Sequence, residues 1–491
     1  MASNEVPSSV LVVGSGVFGL STAYALAQRP EFSDTKITVL DRSTFPAPDC
    51  SSNDSSRIVR ADYADFAYAQ LCLEAQDRWR NGWEGEGAYH EDGLVIAIKN
   101  AADAEGLADG EDHVHGVANL TGREYMRRSL ENVKRLGMNE GPGDDVEVLS
   151  SMDAVGAQFR QPDDQTTNGD TKSRMTFDAD MGYINRRSGW VDANAALCNM
   201  RRRAEATGRI HFITGQVKQL IFTPQTDSKR HTVTGIKLVD GSTFTADLTI
   251  LATGAWTPSL LDMRGIASAT GQALGYISLS PIESSILTRN PTILNESTGL
   301  FIITPSANTL KIARHGYGYA NPIRIPNPEP SSSYDDEKEI TVSLPRTCWD
   351  DTSCALPAEG RAALRAFLAR TFPSLAARPF TQERLCWYTD TPCGDWIVSH
   401  HPAYEGLFVA TGGSGHAFKF LPVLGDCVVD RVLKREVRYG LGRKWDWPEK
   451  RMEGCEDGQV WTEDWRGGRK GMILDEEYAR TPECGGGRVS R

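Results

Sequence analysis

Three glycines, at 14, 16 and 19, stand between an apolar run and a helical pattern in VLVVGSGVFGLSTAYA, residues 10–25. The chemistry of that spacing is dinucleotide binding. Gly14 permits the tight turn after the strand, Gly16 lets the backbone approach a pyrophosphate, and Gly19 lets the next helix pack closely on the sheet, with its N-terminus facing the phosphates. A second apolar run, KITVL at 36–40, ends in Asp41, an acid placed to accept hydrogen bonds from a ribose 2′-hydroxyl and to disfavour a 2′-phosphate. The motif fits FAD and NAD alike.

The elements that must position this unit come from a chain too long for one ordinary core. At 491 residues, 40% of them hydrophobic, it should split into two or more domains. The net charge of −12 and pI near 5.4 oppose the basic footprint of nucleic-acid binding. MASNEVPSSV lacks a basic leader region, and no segment approaches the ~20 apolar residues of a membrane span, so a soluble intracellular protein is expected. The final RVSR is not the peroxisomal tripeptide, which makes the cytosol the expected compartment. Ten cysteines without metal-ligand spacing read as thiols, and no metal is expected.

After the first βαβ unit, a polar loop carries Arg57 and Arg60 into a helix containing Leu71, Ala75 and Trp79. Segments 137–145, 161–174 and 331–339 are rich in polar or turn-forming residues without periodicity and read as surface loops. Asp192 caps a helix that Gly208 ends, and Asp240-Gly241 marks a hairpin turn. The buried runs ending in Thr253-Gly254-Ala255-Trp256 and in GLFVATGG return the chain to the nucleotide domain. Leu364, Phe367 and Leu368 share one face of a helix stopped by Pro373. Trp445, Trp447, Trp461 and Trp465 are expected to pin an extended tail onto the surface.

Taken in order, VVGSGVFG, SSRIVR, ILATGAW, LKIARHG, CWYT and GGSGHAFKF resemble the monomeric sarcosine oxidase and fructosyl-amino-acid oxidase group of the D-amino-acid-oxidase-like flavoproteins. The resemblance runs from residue 10 to about residue 435, and the branch it looks most like contains the fungal-type saccharopine, pipecolate and N-methyl-amino-acid oxidases. It decides for FAD over NAD and implies an α/β fold: a Rossmann-like FAD domain beside a substrate domain built on a mixed β-sheet. The implied boundaries are 1–90, 181–265 and 385–440 for the FAD domain, 91–180 and 266–384 for the substrate domain, and 441–491 for a tail.

Cys386 matches the cysteine that forms a thioether to the flavin, with nearby Cys393 as a rival. Arg60 and Lys419 match the pair that binds the substrate carboxylate; a buried ammonium between Phe418 and Phe420 needs a counter-ion, and a ligand carboxylate supplies one. Lys311 matches the lysine that holds a water at the flavin and promotes reaction with oxygen, and His315 matches the active-site histidine four residues on. The resemblance also places Val17, Phe18, Arg42, Ser56, Arg57, Val217, Gly254 and Trp256 at the cofactor, together with Gly413, Gly415, His416, Phe418 and Lys419, the last also stabilising negative charge on the reduced flavin. Ser52 and Asn53 replace histidines of the bacterial sarcosine oxidases, and the segment before Lys311 lacks a matching tyrosine, so the substrate is expected to differ.

The implied activity is oxidation of a secondary or N-methylated L-amino acid to an imine, with oxygen reduced to hydrogen peroxide and ring closure where a nucleophilic arene can trap the imine. The expected partners are an amino acid with a free carboxylate and O2, and the expected state is a monomer. Glycated amino acids, saccharopine and pipecolate stand as alternative substrates, and an electron-transferring dehydrogenase as the alternative class.

Overall fold

Val10, Leu11, Val12 and Val13 are all buried, as a strand covered on both faces requires. That strand, Ser9–Val13, is central in a six-stranded sheet and pairs in parallel with Lys36–Asp41 on one side and Leu248–Leu251 on the other. Ile210–Thr214 and Leu407–Thr411 extend the parallel array, and Ile397–His400 closes one edge antiparallel. The chain therefore returns to its first sheet at both runs that suggested it, and also at Ile210–Thr214. The computed structural model describes residues 6–83, 88–99, 120–163, 179–224, 231–330, 337–352, 354–455 and 459–480.

Gly14 has φ +102°, and a Cβ there would sit 2.4 Å from the carbonyl oxygen of Ala252. At Gly19 the constraint is the turn itself: a Cβ would lie 1.9 Å from the carbonyl oxygen of Gly14. Both contacts are with backbone, which cannot swing aside. Gly19→Ala should therefore push the helix Val17–Gln28 off the sheet, and purified protein should carry less than a tenth of the wild-type flavin per chain, read from the visible-to-ultraviolet absorbance ratio. Full flavin content would show that the turn has another way to relax.

The second unit is a ten-stranded mixed sheet. Its long strand Ser268–Ser278 pairs with Thr309–Arg314 on one side, where Tyr276 faces Lys311, and with Gln382–Asp390 on the other, where Gln272 faces Cys386. Two strands assigned in whole or in large part to the FAD domain by the expected boundaries, Met181–Asn185 and Gln382–Asp390, are members of this sheet, because their hydrogen-bond partners lie there. Together these pairings make a fold of mixed α/β type.

Local signals read correctly where they rest on capping and turn chemistry. The Asp192 carboxylate accepts from the Ala195 amide 2.8 Å away at the start of Ala193–Ala206, and Gly208 has φ +65° after it. The tail is a correction. Trp445 and Trp465 are in the core, not on the surface, since the chain after 459 runs inward and adds a short strand, Met472–Ile473, to the large sheet. Most of segments 161–174 and 331–339 falls outside the described residues, whereas 137–145 is irregular as expected. Among the described residues no helix is long and apolar enough to cross a membrane, no group of acids, histidines and cysteines could hold a metal, and all nine cysteines are free.

Candidate active site

Two adjoining cavities occupy the junction of the sheets. The larger has walls from the glycine turn, Asp41 and Arg42, from Gly215, Gln216 and Val217, from Gly254 and Trp256, and from Tyr388 with the loop 413–418. Gly16 faces it; a Cβ there would touch only the Ser52 hydroxyl, at 3.0 Å, so the space left by the missing side chain belongs to the cavity. Val17, Phe18, Arg57, Gly413, Gly415, His416 and Phe418 complete the expected lining. Arg42 pairs with Asp49 and lies 4.1 Å over the Trp256 ring, which stiffens one wall. One Asp41 oxygen accepts from the Ser15 amide at 2.7 Å and its hydroxyl at 2.6 Å, tying the acid to the glycine turn. Four expected residues do not line this cavity: Cys386 and Lys419 line the smaller one beside it, Gly19 serves helix packing, and Ser56 is buried with its carbonyl given to Lys311.

The smaller cavity shares Arg57, Tyr388, Gly415, His416 and Phe418 with the larger one. It brings together Arg60, Lys311, His315, Cys386 and Lys419, five residues spread over 360 positions of chain. Its other walls, Ile58, Leu274, Leu294, Phe301 and Ile303, are apolar.

Arg60 and Lys419 are buried cations without a carboxylate at ion-pair distance among the described residues. The Lys419 ammonium donates to the Tyr63 hydroxyl and to the His416 carbonyl, each at 2.9 Å. Burial and the nearby Arg60 push its pKa down to about 7. Arg60 donates to the Asp62 carbonyl and lies 5.3 Å over the Tyr63 ring. The acids near it do not compensate it closely. Asp62 is satisfied by Tyr183 at 2.8 Å, Asn185 at 3.0 Å and Ser188 at 2.7 Å, and Glu296 is pushed up to about 8 by burial, so it is largely protonated at neutral pH. A negative group placed between the two would supply the missing counter-charge.

Lys311 has a partner that the motif reading missed. Its ammonium is 2.7 Å from an Asp54 carboxylate oxygen and 2.7 Å from the Ser56 carbonyl, and the same carboxylate pairs with Arg57 and accepts from the Tyr276 hydroxyl at 2.7 Å. Burial opposes the charge on Asp54, yet Arg57 and Lys311 outweigh it and hold its pKa well below the usual carboxylate range. Burial, with Arg57 behind it, lowers Lys311 to about 7. Asp54 stands three residues before Arg57 in a polar loop, so nothing local distinguishes it from a solvated turn residue.

Cys386 is 1% exposed, with its sulfur 3.7 Å from the Arg57 guanidinium. Cys393 does not line either cavity. His315 is held neutral, its pKa well below the ordinary imidazole value through burial and the Arg466 guanidinium. His416 is also held neutral, by burial and then the Lys419 charge; its Nδ1 lies 3.1 Å from the Tyr63 hydroxyl and its Nε2 2.9 Å from the Gly394 carbonyl.

Residues 9–431 match the family model described as DAO, FAD dependent oxidoreductase. The chain belongs to that family. It is 34% identical over 468 residues to the amino acid oxidase imqH of Aspergillus flavus, covering 88% of this chain and 94% of that protein, and 31% identical to the amino acid oxidase fsqB of Aspergillus fumigatus, covering 88% and 93%. L-saccharopine oxidase of Schizosaccharomyces pombe is 28% identical over 87% of this chain and 90% of its own length. A crystal structure of a modified fructosyl peptide oxidase from Aspergillus nidulans has the same fold, with a TM-score of 0.76 over 96% of this chain and 99% of that one at 23% identity. Within the family the chain is an FAD-dependent amino acid oxidase of the sarcosine oxidase group.

Proposed function

We propose that the protein oxidises a secondary or N-methylated L-amino acid with a free carboxylate and an apolar or aromatic side chain, yielding an imine and hydrogen peroxide. The observation that supports this reading is the pair of buried cations, Arg60 and Lys419, in a pocket that has one apolar wall and adjoins the larger cavity. A carboxylate set between them leaves the rest of the amino acid against Ile58, Leu274, Leu294, Phe301 and Ile303. Relatives named for saccharopine, sarcosine and N-methyl-L-tryptophan act on amino acids whose nitrogen carries a second carbon, which supports the same amine class here.

The residues around the pocket also favour a neutral amine. Arg57, Arg60 and Lys419 bring positive charge close to the substrate nitrogen, and like charge lowers the pKa of an ammonium. His315, kept uncharged, can accept a proton without adding to that repulsion. FAD, when bound, supplies the two-electron acceptor and the route of electrons to oxygen. In this reading Cys386 carries the cofactor covalently, and Lys311 serves the oxygen half of the reaction. The imine hydrolyses in water, or closes a ring when the substrate places a nucleophilic arene within reach.

The test is a peroxide assay with N-methylated amino acids and their methyl esters. A charge-assisted bond lost in a buried site costs about 2–5 kcal/mol, so kcat/KM for an ester should be lower by at least tenfold. Equal turnover of acid and ester would refute the carboxylate assignment, and absence of peroxide with electrons passing instead to an artificial dye would favour a dehydrogenase.

A further inference from the structure

The tail was expected on the surface, and the structure threads it through the active-site wall. From Thr462 to Gly467 it touches four segments that border the two cavities. The Glu463 amide donates to the Pro392 carbonyl at 2.7 Å, beyond the strand that carries Cys386. The Trp465 indole nitrogen donates to the Glu296 carbonyl, and its ring lies 5.6 Å from the His315 imidazole and 6.0 Å from the Tyr125 ring. The Gly467 amide donates to the His315 carbonyl at 3.0 Å, and its own carbonyl accepts from the Tyr317 amide at 3.1 Å.

Arg466 makes the deepest contacts. Its side chain is fully buried, and its guanidinium reaches the Ser414 carbonyl at 3.0 Å and an Asp390 carboxylate oxygen at 3.3 Å. Ser414 sits in the cavity-lining loop at φ +45°, the left-handed region that a residue with a side chain adopts only at a cost. A surrounding bond must hold it there. The Ser414 amide is tied to the Thr389 carbonyl at 3.0 Å, and its carbonyl is tied to Arg466.

We propose that Trp465 and Arg466 are positioning residues of the active site: Trp465 sets the plane of His315, and Arg466 holds the Gly413–His416 loop in the conformation that faces the cofactor. A tail that merely covered the surface would have no reason to bury a guanidinium on a loop carbonyl in the cavity wall. The proposal rests on the reading of His315 and that loop as the cofactor and substrate face, and its test separates the two.

The experiment uses full-length holoenzyme variants and sulfite, which adds to the flavin of many oxidases and bleaches its absorbance, as the probe. Arg466→Gln removes the charge and should weaken sulfite binding about tenfold and shift the visible circular dichroism of the flavin. Arg466→Lys keeps the charge without the planar fork, whose Nη2 reaches Ser414 and Asp390 while Nη1 pairs with Asp464, and should rescue most of the loss, leaving about a threefold effect. Trp465→Phe keeps a ring against His315 and loses only the indole donor. It should alter the dichroism while leaving flavin content unchanged. Where Arg466→Gln does not yield folded protein, Arg466→Lys and Trp465→Phe decide. Wild-type sulfite affinity and dichroism in both would overturn the proposal. A wild-type enzyme that holds FAD but makes no peroxide from any N-methylated amino acid would instead count against the proposed function, whatever the variants do.

Discussion

Acid precipitation of the wild-type protein should leave a yellow pellet and a colourless supernatant, and Cys386→Ala should reverse that distribution. The expectation rests on three features of the folded chain. Cys386 is buried, it lines the smaller cavity beside Tyr388 and Arg57, which line both cavities, and its sulfur is within 3.7 Å of the Arg57 guanidinium. Cys393, the rival on sequence grounds, is exposed and lines neither cavity. Cys386→Ala removes only the sulfur, and the glycine turn, Asp41 and the loop 413–418 remain to bind the dinucleotide without a covalent bond. The variant should therefore purify yellow and lose all its flavin on denaturation. Flavin that stays with denatured Cys386→Ala would assign the link to another residue.

The second large effect concerns Lys311. Stopped-flow absorbance on one preparation can follow bleaching by substrate without oxygen, and then recovery of colour when oxygen is added. Lys311→Met should slow recovery by on the order of 10²-fold, the usual consequence of removing one preorganised charge from a reacting site, and slow bleaching much less. The structure adds a pH signature. With its pKa lowered to about 7, mainly by burial and then by Arg57, Lys311 loses its charge as the pH rises through 7, so the wild-type recovery rate should fall over that range while that of Lys311→Met stays flat. The Asp54 carboxylate keeps Arg57 as a partner in the variant, which limits the loss of stability. Impaired bleaching with unchanged recovery would move Lys311 into substrate binding.

What the sequence by itself determined is local in its physics. The glycine turn is legible because each glycine answers a backbone constraint within one βαβ unit: Gly14 through its positive φ, and Gly19 through a contact five residues away. The Asp192 cap and the Asp240-Gly241 hairpin are legible for the same reason. The motifs containing Arg60, Lys311, Cys386 and Lys419 could be recognised, and the fold does bring those residues to one pocket.

Only the tertiary structure decided what each of them faces. Asp54 and Lys311 are 257 residues apart, and they meet because the register that sets Tyr276 opposite Lys311 also brings the polar loop beneath that strand. The inward course of the tail was equally invisible, since four tryptophans in a polar, glycine-rich stretch carry no periodicity to say which side is buried. Trp465 and Arg466 find their environment through partners at 296, 315, 390 and 414. Such contacts depend on how two sheets and a returning chain fit together, and on no pattern within the chain's own neighbourhood.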